Sequence, residues 1–348
     1  MSQPSILIWG AGAIGGTIGA YWARAGIAVT MVDIDQAHAE ACSTSGLRIT
    51  GPVEHLHQVI PTVTPDQIEG VFDIIVLAVK AQATKKALEQ LLPHLAEDGY
   101  VLSAQNGLNE ITIAQAVGDE RCMGCFVNFG ADWQAPGEIM FGNRGAVVVG
   151  EIDGSIRPRT KAMHEMLLTF DSSSILTDNI WGYLWGKLAY GAMLFATALT
   201  PDSMADNFKD PRRFIVFNRL GREVMAVAKA RGVAPIGFNG FEPACFMADA
   251  TQQSAQDSIA RLADFNSKTA KTHSGIYRDL AVRKRKTEVD PQIGIICELG
   301  RAAGIAVPAL ECLVALIHDI EDGKKPMSFE TLSVLIAACE SANHAHPL

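Results

Sequence analysis

Near the start of the chain the apolar residues form a short run, Ile6 to Trp9, that stops at a glycine-dense turn. Residues 17–25 follow as a small, largely apolar stretch that reads as a helix, and Gly26 ends it. A second apolar run over residues 28–32 finishes on Asp33, and the polar stretch 36–43 reads as another helix. Residues 46–51 and 53–63 read as short β segments. Residues 72–79 are almost continuously apolar, the pattern of a parallel strand buried on both faces. A helix over 84–92, Pro93 and a strand over 100–104 lead into the sharp turn Gln105-Asn106-Gly107-Leu108. Strands over 122–129 and 146–150 flank a turn-rich β excursion at 136–145. From residue 157 the period becomes helical, with candidates at 157–170, 180–198, 212–231, 252–271, 291–303, 309–321 and 329–342. Gly232, Gly304 with Pro308, and Gly323 with Pro326 punctuate them, and 343–348 reads as a frayed tail.

The turn after the first run is Gly10-Ala11-Gly12-Ala13-Ile14-Gly15, in G-x-G-x-x-G spacing between a strand and a helix. In that setting Gly10 makes the tight turn, Gly12 lets the backbone approach a pyrophosphate, and Gly15 lets the helix pack on the sheet. The helix start then offers free N–H groups and a partial positive charge to the phosphates. Asp33, closing the next strand, can accept both ribose hydroxyls of NAD and would repel the 2′-phosphate of NADP; the plainer reading is a solvated strand-end acid. NAD is the expected cofactor and NADP the alternative. The fold class is an α/β Rossmann-type dinucleotide-binding domain over residues 1–176, followed by an all-α C-terminal domain over 177–348.

Composition narrows the classes. Apolar residues make up 48% of the 348 and charged residues 19%, which describes a globular chain with room for two cores. A net charge of −9 argues against a nucleic-acid surface. No basic leader precedes the first strand, and no run approaches a membrane span, the nearest (180–199) being interrupted by Lys187 and glycines. Seven cysteines, an odd number, argue against a disulfide framework and for a reducing cytoplasm. Cys122 and Cys125 lie three apart in a strand, on opposite faces, and read as core thiols with no metal.

Lys187 stands in a helix with apolar residues on nearly every side, among them Trp181, Leu184, Trp185 and Leu188. Either it snorkels to water or it faces an enclosed polar site, where desolvation would suit it to exchange a proton near neutral pH. Lys80 ends the buried strand as either a solvated lysine or a cofactor contact. Asn106, in an Asn-Gly turn at the same edge, is either a turn former or a ligand contact. Glu288 closes the basic run 283–286, which is either a solvated loop before a helix at Pro291 or part of a site that places cations near a substrate anion. His273 reads as structural.

Taken together, the glycine turn, Val79-Lys80-Ala81, Gln105-Asn106-Gly107-Leu108, Pro136-Gly137-Glu138-Ile139 with Gly150-Glu151, and Trp185-Gly186-Lys187-Leu188 resemble the ketopantoate reductase (2-dehydropantoate 2-reductase) family. His273-Ser274, Asp279, Thr287 to Asp290 and Gly304 to Pro308 extend the resemblance over nearly the whole chain. It implies that Lys187 is the general acid that protonates a ketone oxygen as hydride reaches C2. It also implies that Glu288 is the acidic active-site residue, that Lys80 and Asn106 lie at cofactor ribose and substrate, and that the chain forms a homodimer. Departures fall at substrate positions: Gly191 and Phe195 stand where the family commonly has asparagines, and Gly275 replaces a serine beside Ser274. The segment from Asp279 to Glu288 is one residue longer than usual, and no arginine follows the second strand. A pocket without those amides implies a more apolar or aromatic 2-oxo acid, and NAD use implies operation as a 2-hydroxy acid dehydrogenase. Rival expectations are an opine or 3-hydroxy acid dehydrogenase of the same plan, and a non-catalytic NAD-sensing module.

Overall fold

The computed structural model describes residues 4–238, 240–268 and 272–345, and its contacts divide the chain into two compact units, Met1–Ile180 and Trp181–Leu348. In the first unit the strands are β1 (Ile6–Trp9), β2 (Val29–Val32), β3 (Leu47–Thr50), β4 (Leu56–Gln58), β5 (Thr62–Val63) and β6 (Phe72–Leu77). They continue as β7 (Leu95–Ser103), β8 (Cys122–Val127), β9 (Gly130–Ala135), β10 (Glu138–Asn143), β11 (Val147–Glu151) and β12 (Ile175–Leu176). The helices are α1 (Ala13–Arg24), α2 (Gln36–Thr44), α3 (Thr84–Leu91), α4 (Asn109–Val117) and α5 (Pro158–Phe170).

Among the described residues one sheet has eight strands in the order β12-β11-β8-β7-β6-β1-β2-β5, parallel except where β11 meets β8. The order β5-β2-β1-β6-β7-β8 is that of a doubly wound Rossmann sheet. The apolar run of β6 serves both faces: Ile74 and Val76 join one core cluster, Ile75 and Leu77 the other. Cys125 and Cys122 divide between the same two clusters, which is why a spacing of three cannot bring them together. The segments expected to be short β pieces assemble into a second, four-stranded sheet, β4-β3-β10-β9, with β3 and β10 parallel. At the far edge of the large sheet the buried Glu151 takes two bonds from Arg159, at 2.9 and 2.6 Å, and one from Thr160 at 2.6 Å, tying β11 to α5.

Glycines set how closely α1 meets both sheets. A Cβ on Gly15 would lie 2.1 Å from the Gly10 carbonyl oxygen, and one on Gly16 would lie 2.5 Å from that of Ala11 and 2.6 Å from Ile139 Cδ1. The helix therefore begins at Ala13, four residues before the expected start, with no gap between turn and helix.

The second unit is built from α6 (Ile180–Thr197), α7 (Met204–Lys209), α8 (Phe214–Ala230) and α9 (Gln252–Ser267), then α10 (Gly275–Tyr277), α11 (Ile295–Ala302), α12 (Pro308–Glu321) and α13 (Phe329–Ala345). Glu223 of α8 is buried, ion-paired with Arg219 at 2.8 Å, and accepts from the backbone N–H groups of Ala309 and Leu310 at 3.1 and 2.9 Å. It supplies from a neighbouring helix the cap that Val307 cannot give α12. The expected helix 291–303 divides into a π-helical turn, Asp290–Gly294, and α11. A second π-helical turn, Arg278–Val282, follows α10, and Lys284 beyond it has φ of 48°; a π turn is how a helix takes up an extra residue. The expected helix 252–271 ends at Ser267, with 269–271 outside the described residues. Asn343 to Ala345 belong to α13 instead of a frayed tail, and 346–348 lie outside the described residues.

Gly15→Ala is expected to destabilise the protein by about 3 kcal/mol, at the upper end of overpacking costs, because the blocking atom is backbone and cannot rotate away. Urea unfolding of the variant measures this; an unchanged midpoint would mean that the turn yields where the packing says it cannot.

Candidate cofactor edge and helical site residues

In the first unit the carboxyl ends of β7, β6, β1 and β2 lie side by side, stepped by backbone hydrogen bonds. Ala104 N–H donates to Leu77 at 2.9 Å, Ala78 N–H to Trp9 at 2.9 Å, and Gly10 N–H to Val32 at 2.8 Å. This brings Asn106, Lys80, the glycine turn and Asp33 to one sheet edge, where ligands of open α/β sheets bind. The glycines differ in what surrounds them. Gly10, at φ of 107°, lies against the end of β6, where a Cβ would come within 2.8 Å of Val79 N. Beyond its chain neighbours Gly12 has no heavy atom within 4 Å of its ideal Cβ, and its φ of −68° suits any residue. Nothing in the packing around it requires a glycine there. The start of α1 carries no side-chain cap, so its first N–H groups face the same space.

Asp33 is oriented by two backbone donors, Ala11 N–H at 3.0 Å to Oδ2 and Asp35 N–H at 3.0 Å to Oδ1. Each oxygen keeps a lone pair for a further donor, and Asp35 adds a second carboxylate to the turn as the N-cap of α2. Sequence reasoning missed His38, which read as one more residue of the polar helical stretch 36–43. It is fully buried; Nε2 lies 2.9 Å from the Ala11 carbonyl, and Nδ1 takes the Gly137 N–H at 3.0 Å with Trp133 Nε1 at 3.3 Å. Two donors at Nδ1 leave the proton on Nε2, which donates to Ala11 and pins the glycine turn to the β9–β10 hairpin. The burial of α2's His38-Ala39-Cys42 face was the only signal, and its polar sequence hid it.

Lys80 is exposed at the end of β6 and precedes a short 3-10 turn, Ala81–Ala83. Asn106 is half-buried, and its carbonyl accepts from Asn109 Nδ2 at 2.7 Å.

In the second unit Lys187 is half-buried on α6 between the buried Leu184, Trp185 and Leu188. Gly191, one turn on, opens toward the Glu288 segment: its ideal Cβ meets only Gln292 Oε1, at 3.9 Å, and Gln292 N–H bonds the Glu288 carbonyl. Phe195 is 1% exposed and packs in the core, leaving almost no surface to a ligand. Ser274 is buried, and its hydroxyl accepts from Tyr277 N–H at 3.2 Å as the N-cap of α10. His273 bonds the Pro201 carbonyl at 3.0 Å and rests on Tyr277. Of the basic run, Arg283 and Arg285 pair with Asp279 at 3.2 and 2.9 Å.

Glu288 itself follows an anchored residue. The Thr287 N–H and hydroxyl both donate to Glu321 Oε1 at 2.7 Å, and His318 bridges Glu321 Oε2 at 3.0 Å and Asp290 Oδ1 at 2.9 Å. Burial opposes charge on His318, but the bonds to the two carboxylates outweigh it and hold its pKa above the usual value. Among the described residues no group of three or more His, Cys, Asp or Glu could hold a metal ion, and no helix is long and apolar enough to cross a membrane.

Residues 6–154 match the family model Ketopantoate reductase PanE/ApbA, and residues 179–321 match Ketopantoate reductase PanE/ApbA C terminal. The chain is similar to the 2-dehydropantoate 2-reductase of Mesorhizobium japonicum, at 26% identity over 90% of this chain and 96% of that protein. In fold it resembles a D-mandelate dehydrogenase solved with NADH and anilino(oxo)acetate (TM-score 0.79, 23% identity, 92% of this chain and 98% of that one). It also resembles a dimeric ketopantoate reductase from Staphylococcus aureus (TM-score 0.70, 18% identity, 92% and 100%).

Glu110, in the first turn of α4, also escaped sequence reasoning. It is fully buried, and neither carboxyl oxygen has a hydrogen-bond partner in the protein. Burial raises its pKa from the ordinary 4.5 to about 7; its backbone N–H and the nearby Ser103 hydroxyl, which is not at bonding geometry, offset only part of this. A raised folded-state pKa means that stability present below pH 4.5 is lost as pH rises through about 7, a cost of about 3 kcal/mol once both states are ionised. Glu110→Gln should therefore stabilise the protein at pH 8 and scarcely at pH 5. Thermal melts at the two values decide it, equal effects at both pH values contradicting the assignment.

Proposed function

The chain belongs to the ketopantoate reductase family, and on that premise we propose that it is an NAD-dependent oxidoreductase interconverting a 2-oxo acid and its 2-hydroxy acid. The observation that carries the cofactor half of this reading is the contrast at the glycine turn. Gly10 and Gly15 are packed against backbone, whereas Gly12 borders open space at a helix start. NAD is favoured over NADP because Asp33 and Asp35 put two carboxylates where a 2′-phosphate would need cations. When bound, the nicotinamide supplies or accepts the hydride at C2 of the acid. Lys187 donates its Nζ proton to the carbonyl oxygen as the C=O π pair moves onto it, and its charge stabilises the developing alkoxide. In the dehydrogenase direction Lys187 takes that proton back. Glu288 holds the substrate and assists, its backbone fixed by the Thr287–Glu321 bonds.

The substrate we propose is a more apolar or aromatic 2-oxo acid than ketopantoate. A hydrogen at Gly191 and a buried ring at Phe195 cannot hydrogen-bond a hydroxylated substrate chain. The D-mandelate dehydrogenase of like fold was solved with a ligand that joins an oxo acid to an aromatic ring. Lys80 and Asn106 serve cofactor ribose and substrate in this reading, and Ser274 reaches the substrate carboxylate. The seven free thiols suit a reducing cytoplasm, and a homodimer follows the dimeric relative.

Lys187→Ala is expected to lower kcat by about 10²–10⁴-fold while NADH affinity holds. Steady-state kinetics with fluorescence titration separates the two effects; equal loss of both contradicts the proton role. Asp33→Ala should weaken NADH about tenfold or more and narrow its advantage over NADPH, as expected for two lost charge-assisted hydrogen bonds. An unchanged ratio of the two affinities removes the ribose assignment. A panel of 2-oxo acids, 3-oxo acids and imines with NADH, read at the nicotinamide absorbance, tests the reaction; NADH oxidation only with the 3-oxo acids or imines would overturn it.

A further inference from the structure

Between the turn that carries Lys80 and the turn that carries Asn106 runs a buried chain of side-chain hydrogen bonds. Gln105 Nε2 donates to the Val79 carbonyl at 2.8 Å and to Thr84 Oγ1 at 2.8 Å. Thr84 Oγ1 donates to Asn109 Oδ1 at 2.9 Å, and Asn109 Nδ2 donates to the Asn106 carbonyl at 2.7 Å. The three side chains are 4%, 2% and 7% exposed. Both ends of the chain are backbone carbonyls, which only accept, so its direction is fixed: each amide must present nitrogen to its carbonyl. The middle position must then accept from one amide and donate to the other, which of the small side chains only a hydroxyl can do.

We propose that Gln105, Thr84 and Asn109 form a positioning relay that sets the spacing of the Lys80 and Asn106 turns for cofactor binding. This rests on the reading of that sheet edge as the NAD site. Two features argue that the relay is more than local capping. Thr84 and Asn109 are the first residues of α3 and α4, yet neither helix has a side-chain cap; these side chains bond across to each other instead. Gln105 Oε1 is buried without a partner, and the amide cannot turn over to use it, because both its protons are engaged. A buried unpaired carbonyl is a cost a purely structural network avoids.

The relay predicts a sharp difference between two small substitutions at its centre. Thr84→Val keeps shape but strands an N–H of Gln105 and the carbonyl of Asn109, whereas Thr84→Ser keeps the hydroxyl. Thr84→Val should raise the NADH dissociation constant about tenfold, the size of one or two lost hydrogen bonds, and speed amide exchange at residues 78–82 and 104–108. Thr84→Ser should match the parent in both. Fluorescence titration with NADH and hydrogen-exchange mass spectrometry of the full chain make the test. A valine variant with slower-than-parent or unchanged exchange at those turns overturns the relay, whatever NADH does. A valine variant that loses thermal stability but binds NADH like the parent also overturns it, reducing the chain to a structural role. If the parent itself shows no NADH binding, the cofactor reading fails and the relay's purpose with it, even where exchange responds.

Discussion

The missing β-carbons of one turn govern the first unit. Gly15 and Gly16 let α1 start directly behind β1, with carbonyl oxygens of Gly10 and Ala11 in the space where side chains would stand. That contact sets the height of α1 over both sheets and aims its uncapped start along the carboxyl edge. The neighbouring turns are then referenced to it: Gly10 packs on the end of β6, Asp33 is bonded by Ala11 N–H, and His38 holds the Ala11 carbonyl from the other side. The turn is closely packed at Gly10, Gly15 and Gly16 and open at Gly12.

Buried polarity gathers around the proposed site residues in both units. In the first, the buried Gln105–Thr84–Asn109 chain and the unpaired Glu110 adjoin the Asn106 turn. In the second, Glu321, Thr287 and His318 fix the backbone on which Glu288 stands. Unpaired or ionised groups inside a core lower stability, and they persist where function fixes a geometry that apolar packing cannot specify. The π-helical turns Arg278–Val282 and Asp290–Gly294 bracket the Glu288 segment.

How far the chain could be read from sequence depended on the range of the interaction concerned. The β1–α1–β2 unit and the buried β6 run were legible because period and glycine spacing are local signals, and the structure follows them closely. The small sheet was legible as pieces but not as a sheet, because β3 and β10 pair across some ninety intervening residues. Helix α4 was missed: Asn109 and Glu110 look like solvent-facing polar residues, and only the fold shows them 7% and 0% exposed. His38 was hidden in the same way. For Lys187, Glu288 and Gly191, motif order supplied the candidates. The local structure adds what spacing could not, namely that Gly191 opens toward Gln292 and that Phe195 is turned into the core.

The account stands on Gly12 being kept for a ligand and Gly15 for the fold, and a valine at Gly12 separates the two most directly. Its backbone admits a side chain, and no heavy atom beyond its immediate chain neighbours lies within 4 Å of the added Cβ. Gly12→Val should unfold at the same temperature as the parent protein and bind NADH too weakly to measure by calorimetric titration. A folded valine variant that binds NADH with the parent's affinity would contradict the placement of the pyrophosphate on this turn, and with it the cofactor site.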